Sequence, residues 1–224
     1  MGGGTLESAL RDGANDPGLR LIETLLWDGA ACPRLALHQA RLERSAAALG
    51  WAEPADLCGH LVGLPAQALR LRVTLDRAGG LALESAPLPP AKGEWRVGLA
   101  DEKLNWADPW LRHKTTRRAV YDAARAALPQ GLDEVIFENE RGEVCEGTIT
   151  TVFFDRGQGM RTPPLTCGLL PGVLRADLGV VEEVLMSDDL PRVRLWVGNA
   201  LRGLMPARFF TEKSENEFSA KIRV

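Results

Sequence analysis

Lys114 is the residue of this chain best suited to amine chemistry. It sits between His113 and Thr115, close to Arg112, Arg117 and Arg118, and is the only lysine between Lys103 and Lys213. Burial and neighbouring positive charge both lower a lysine pKa, and a lysine so tuned is a nucleophile and a proton carrier. Read in isolation, the same residue is also a solvated lysine at a helix start. Glu146 follows apolar Val144 and Cys145 just past a turn-rich segment, where a carboxylate is not an obvious surface choice. An exposed strand glutamate carries the same signature. Pro171-Gly172 reads as a helix entry, whose free N–H groups and dipole suit an anion, or as a loop–helix junction without ligand. His38 and His60 read as packing residues. Neither pairs with Cys or Ser at triad spacing, and no cluster has metal-ligand spacing, so no metal is expected.

These residues need elements to position them. Leu21–Trp27 reads as a strand, and Asp28-Gly29 turns the chain after it. Beyond Pro33, apolar residues at helical spacing predict a helix over Leu35–Leu49 that carries Arg41 and Arg44 and stops at Gly50. A second helix is expected near Ala55–Val62. Leu69–Leu75 reads as a half-buried strand, turned by Gly79-Gly80 into Leu81–Ala86. The prolines 87, 89 and 90 mark an interdomain linker near Pro87–Glu94. After it, a strand is expected at Trp95–Leu99 and a helix at Thr115–Leu128. Strands Glu134–Phe137 and Val144–Cys145 flank a hairpin turn at Asn139–Gly142, and further strands are expected at Ile149–Phe154, Val181–Met186 and Leu195–Val197. The organisation expected is a smaller N-terminal α/β domain over residues 1–90, a larger cofactor-binding domain over 91–208, and an atypical tail over 209–224. That tail holds two of the five lysines and three of the six phenylalanines.

Composition narrows the partners. With 224 residues, 45% hydrophobic and 25% charged, the chain has ordinary globular usage. Lys+Arg of 27 against Asp+Glu of 30 gives a net charge of -3, so no global positive field exists to hold nucleic acid. The four cysteines stand far apart, which suits a reducing compartment, and no apolar run reaches the ~18 residues of a membrane span. The expectation is a cytoplasmic protein acting on a small molecule, away from membranes.

Five patches occur in order: His38-Gln39-Ala40-Arg41-Leu42; His113 to Arg118; Cys145-Glu146-Gly147-Thr148 with Val152-Phe153; Gly168 to Arg175; and Gly198-Asn199-Ala200-Leu201. In that order and spacing they resemble the class IV aminotransferase family, which binds pyridoxal 5'-phosphate and includes branched-chain and D-amino acid aminotransferases and 4-amino-4-deoxychorismate lyase. The resemblance covers Leu21 to Ala207. It implies an α/β (α+β) fold of two domains with the cofactor in the cleft between them, and a homodimer. It makes Lys114 the residue that holds the cofactor aldehyde and moves protons, and Glu146 the partner of the pyridine nitrogen. Arg41, with Gly172, Val173, Asn199 and Ala200, becomes the phosphate cup, since a guanidinium grips a phosphate bidentately. Glu23, within Leu21-Ile22-Glu23-Thr24, falls where relatives place a site-lining residue able to protonate a leaving fragment. Arg77 resembles the substrate-side arginine, though a solvated strand end reads the same way. Tyr121, the only tyrosine, is a candidate for the cofactor's phenolic oxygen. One departure is Thr151, which precedes Val152-Phe153 where relatives commonly carry Asn.

The short chain and the Lys114-Thr115-Thr116-Arg117-Arg118 form look most like the lyase branch, a PLP-dependent enzyme of folate biosynthesis that yields 4-aminobenzoate and pyruvate. An aminotransferase acting on branched-chain or D-amino acids uses the same machinery. A catalytically silent homologue is the third possibility, because only Ala176-Asp177-Leu178 separate Arg175 from Gly179, where relatives carry a longer helix.

Overall fold

The computed structural model describes residues 10–210. Two sheets organise it. The first is antiparallel, in order β1-β2-β3, with β1 at Leu21–Trp27, β2 at Leu69–Leu75 and β3 at Leu81–Pro87. Helix α1, Leu35–Leu49, packs on it and ends as expected at Gly50, whose φ of 66° suits glycine at a helix C-terminus. The buried stripe of α1 is His38, Arg41, Leu42, Ser45, Ala46 and Leu49, the i, i+3, i+4 spacing of one helical face. Three of those six are polar, so the sequence places partners' work on the face a core would normally fill.

The second sheet has eight strands in order β10-β11-β4-β5-β6-β7-β8-β9, and an added β10–β7 pairing closes six of them into a barrel. The strands are β4 Trp95–Leu99, β5 Glu134–Glu138, β6 Val144–Gly147, β7 Thr151–Asp155, β8 Arg161–Thr162, β9 Val181–Glu182, β10 Arg194–Asn199 and β11 Gly203–Phe209. Helices α2, Ala119–Ala126, and α3, Val173–Leu178, lie on the barrel side of the chain. This is the mixed α/β architecture expected. The hairpin between β5 and β6 forms where Asn139-Glu140-Arg141-Gly142 predicts it. Asn139 Oδ1 accepts the Arg141 and Glu143 amides at 2.8 and 3.2 Å, and Gly142 adopts a φ of 76°.

Several expectations shift. The helix expected from Thr115 begins only at Ala119, because the residues before it pair with β1. Ile22 N donates to Lys114 O at 2.8 Å, and Thr116 N donates to Arg20 O at 2.9 Å. The Ala55–Val62 helix is a four-residue 3-10 turn, Leu57–His60. Regular pairing on β7 starts at Thr151 rather than Ile149, and the Val181–Met186 strand is Val181–Glu182 followed by a single bridge from Met186 to Glu143. Strand β11 was not expected. It runs through Pro206 and carries Phe209 into register with Val97, so the atypical tail starts inside the barrel; residues 211–224 lie outside the described residues. No helix among the described residues is long and apolar enough to cross a membrane.

Candidate active site

A cavity of about 500 Å³ opens between the small sheet and the barrel, lined from both sides by Ile22 and Thr24, by His38 and Arg41, and by Lys114 and Glu146. Lys114 reaches it from the segment that pairs with β1. Burial, then the charges of Arg41 and Arg118, bring its ammonium down to about 8. In protein free of ligand, acylation of Lys114 by an amine reagent is therefore expected to rise through a midpoint near pH 8. A midpoint above 10, the ordinary lysine range, would show that those neighbours do not act on it.

Glu146, on β6, is 7% exposed. Burial pushes its carboxyl up to about 7, while the Tyr121 hydroxyl, the Leu170 amide, Lys114 and Arg118 pull the other way. Tyr121 OH donates to Glu146 Oε1 at 2.7 Å, so the phenol is directed to the carboxylate.

Arg41 is held rather than free. Its Nε and Nη2 donate to Glu23 Oε1 and Oε2 at 2.8 and 2.6 Å, a bidentate fork, and Nη1 reaches Pro171 O at 3.3 Å. His38 Nδ1 lies 2.6 Å from Glu23 Oε2. Burial alone would raise the Glu23 carboxyl, but the Arg41 charge and the bonds from His38 and Arg41 overcome it and hold it at about 2. That corrects the expectation for Glu23. It is 1% exposed and does not line the cavity, and both its oxygens are taken up by Arg41 and His38, so its place is that of a carboxylate that orients Arg41.

Gly172 and Val173 line the cavity, and a Cβ at Gly172 would meet Thr151 Oγ1 at 2.6 Å, which explains glycine there. Helix α3 has six residues, so its dipole is small and the positive charge at this end comes from Arg41. Asn199 and Ala200 also line the cavity, but the Asn199 side chain is committed. Its Nδ2 donates to Ile149 O at 3.2 Å, and its Oδ1 accepts the Leu201 and Arg202 amides at 3.1 and 2.9 Å.

Arg77 lies elsewhere: its Nη1 donates to Asn15 Oδ1 at 2.7 Å and it does not reach the cavity. Arg70 and Arg72 line the cavity instead, on one face of β2, and among the described residues neither side chain has a hydrogen bond or ion pair. The signal was in the sequence, since the alternation Leu69-Arg70-Leu71-Arg72 puts both guanidinia on the face opposite the core. Other cavity arginines are engaged: Arg118 donates to Thr148 O at 2.9 Å, Arg125 to Asp133 O at 2.9 Å and Arg202 to Pro90 O at 3.1 Å, while Arg117 lies over the Trp110 ring, 5.1 Å from its centroid. Among the described residues no group of His, Cys, Asp and Glu could hold a metal.

A family profile described as amino-transferase class IV matches residues 20–209. The chain belongs to that family of enzymes. A protein of Schizosaccharomyces pombe named "Putative aminodeoxychorismate lyase" is 29% identical over 188 residues, covering 76% of this chain and 80% of that protein. The crystal structure of a "Putative amino-acid aminotransferase" from Mesorhizobium loti superposes with a TM-score of 0.80 at 43% identity, covering 86% of this chain and all of that one. The branched-chain aminotransferase of Thermoproteus uzoniensis shares the fold, with a TM-score of 0.72 at 22% identity over 90% of this chain and 81% of its own. The short α3 that motivated a silent homologue leaves the cavity walled, with Arg41, Lys114 and Glu146 all on it.

Proposed function

We propose that this chain is a pyridoxal 5'-phosphate-dependent lyase that converts 4-amino-4-deoxychorismate to 4-aminobenzoate and pyruvate. The observation that carries this reading is the unpartnered pair Arg70 and Arg72 on the cavity wall. One guanidinium answers the carboxylate of a simple amino acid; two answer a substrate with two carboxylates, as this one has. The name of the Schizosaccharomyces pombe relative points to the same reaction.

The residues fit the cofactor on observations of their own. An amine brought down to about 8 and a buried carboxylate line one cavity with a pre-oriented arginine, and His38 Nε2 is buried there without a hydrogen-bond partner. Lys114 would hold the aldehyde, Glu146 the ring nitrogen, and Arg41 with the backbone of Gly172, Val173, Asn199 and Ala200 the phosphate. When bound, the cofactor supplies an electron sink. Arg70 and Arg72 orient the substrate so that its amine-bearing carbon faces Lys114. The Lys114 amine then takes the proton from that carbon, the bond to the enolpyruvyl oxygen breaks, and the carbocycle becomes aromatic. The same proton, returned by the Lys114 ammonium to the departing enolpyruvate, completes pyruvate. The proposal includes a homodimer, as the resemblance implies.

The 43% identity to the Mesorhizobium loti protein favours a second reading, an amino-acid aminotransferase, for which the family resemblance implies branched-chain or D-amino acids. Purified protein loaded with the cofactor and given 4-amino-4-deoxychorismate separates the two. Pyruvate released without any keto acid supports the lyase; amine transfer to a keto acid, with no pyruvate, supports the aminotransferase. Under the lyase reading, Arg72→Ala and Arg70→Ala are each expected to raise KM by about tenfold or more, the loss of one charge-assisted contact. Unchanged KM in both variants would remove the arginine pair from substrate binding.

A further inference from the structure

Tyr121 is the chain's only tyrosine, and the reaction above gives it no part. It lies on α2 and lines the cavity. Its ring meets Phe137 edge-on, with centroids 5.2 Å apart and planes at 72°, and Phe137 is wholly buried in β5. The Arg118 guanidinium sits 5.6 Å from the ring centroid. No residue of α2 is fully buried, so this ring is one of the few features that tie the helix to the barrel wall. Its hydroxyl donates to Glu146 Oε1 at 2.7 Å.

We infer that Tyr121 is a positioning residue for Glu146: by holding Oε1 it fixes how the carboxylate faces a ligand in the cavity. The direction of the bond is fixed by chemistry. Burial and the Glu146 charge push the phenol far above its ordinary range, so it keeps its proton and donates it. A donor to a carboxylate favours the ionised form, so Tyr121 also opposes the burial that raises Glu146. The other groups that face Glu146 are the Leu170 amide, Lys114, Arg118 and Arg112, with the neutral Cys145 thiol beside it. None of them changes when Tyr121 becomes Phe. The inference rests on the proposed cofactor only for what the oriented carboxylate would meet.

The test uses the full chain without cofactor, labelled with ¹³Cδ-glutamate, the Glu146 resonance being assigned by its loss in Glu146→Gln. Tyr121→Phe is expected to raise the Glu146 titration midpoint by about one pH unit, the worth of a hydrogen bond to a charged group. Phe137→Leu loosens the same corner but keeps the hydroxyl, and is expected to leave the midpoint where it is. Pyridoxal 5'-phosphate titrated into each protein should bind Tyr121→Phe about tenfold more weakly than wild type. An unmoved midpoint, an affinity equal to wild type's, or an equal shift in Phe137→Leu overturns the inference. Failure of the wild type to take up the cofactor overturns the cofactor reading instead, and the midpoint then still decides the role of Tyr121.

Discussion

Lys114→Ala is expected to lower turnover by at least ~10³-fold, because one amine serves both as tether and as base. The fold should survive, since the pairing with β1 runs through the Lys114 carbonyl, which accepts from Ile22 N at 2.8 Å and is untouched by the substitution. Borohydride added to the cofactor-loaded wild type is expected to fix a covalent mass on the peptide holding Lys114, and to fix none on the variant. The alternatives among the described residues are poor. Lys92 is paired with Asp133 and Lys103 with Glu138, both at 2.7 Å, on the surface and outside the cavity. Covalent mass found on either of them, or full turnover in the variant, would show that another amine does the chemistry.

What the sequence made legible follows the range of the forces involved. Helix α1 was readable to its last residue, because a periodic apolar stripe and Gly50 are local signals. The polar residues on that stripe, His38 and Arg41, were readable only as types; that both bend onto one carboxylate, Glu23, depends on β1 lying beneath them. The segment 115–118 was expected to open the helix, yet it is not helical, because the bridge of Thr115 to Leu21 and the bond from Thr116 N to Arg20 O, across some ninety residues, outweigh weak local preference. Strand β11 was hidden by Pro206. Its lost donor is tolerated because pairing with β4 begins only at Ala207, one residue later. Arg77 stood out for its place after a strand, but position after a strand says nothing of direction. The period-two alternation that selects Arg70 and Arg72 does, and it was the better guide.

Glu23→Ala is expected to cost about 3–5 kcal/mol of stability, the penalty for leaving a buried guanidinium without its partner. Arg41 is 5% exposed and Glu23 1% exposed, so water does not make up the loss. Glu23→Gln keeps the shape and removes the charge, and its deficit should depend on pH. The Glu23 carboxyl is held at about 2 in the folded chain against an ordinary 4.5. Its contribution is thus fully present above about pH 4.5 and is lost as pH falls toward 2. Urea unfolding at pH 7, 4 and 3 should therefore show the gap between wild type and Glu23→Gln narrowing as acid is added. A gap of constant size would mean that the fork to Arg41 contributes no charge-dependent stability. The same variant decides between two roles for this residue. A proton donor would lose kcat and keep its unfolding midpoint, whereas a carboxylate that orients Arg41 loses stability and affinity for phosphate-bearing cofactor together. The 2.6 and 2.8 Å contacts to Arg41 and the low carboxyl pKa predict the second pattern.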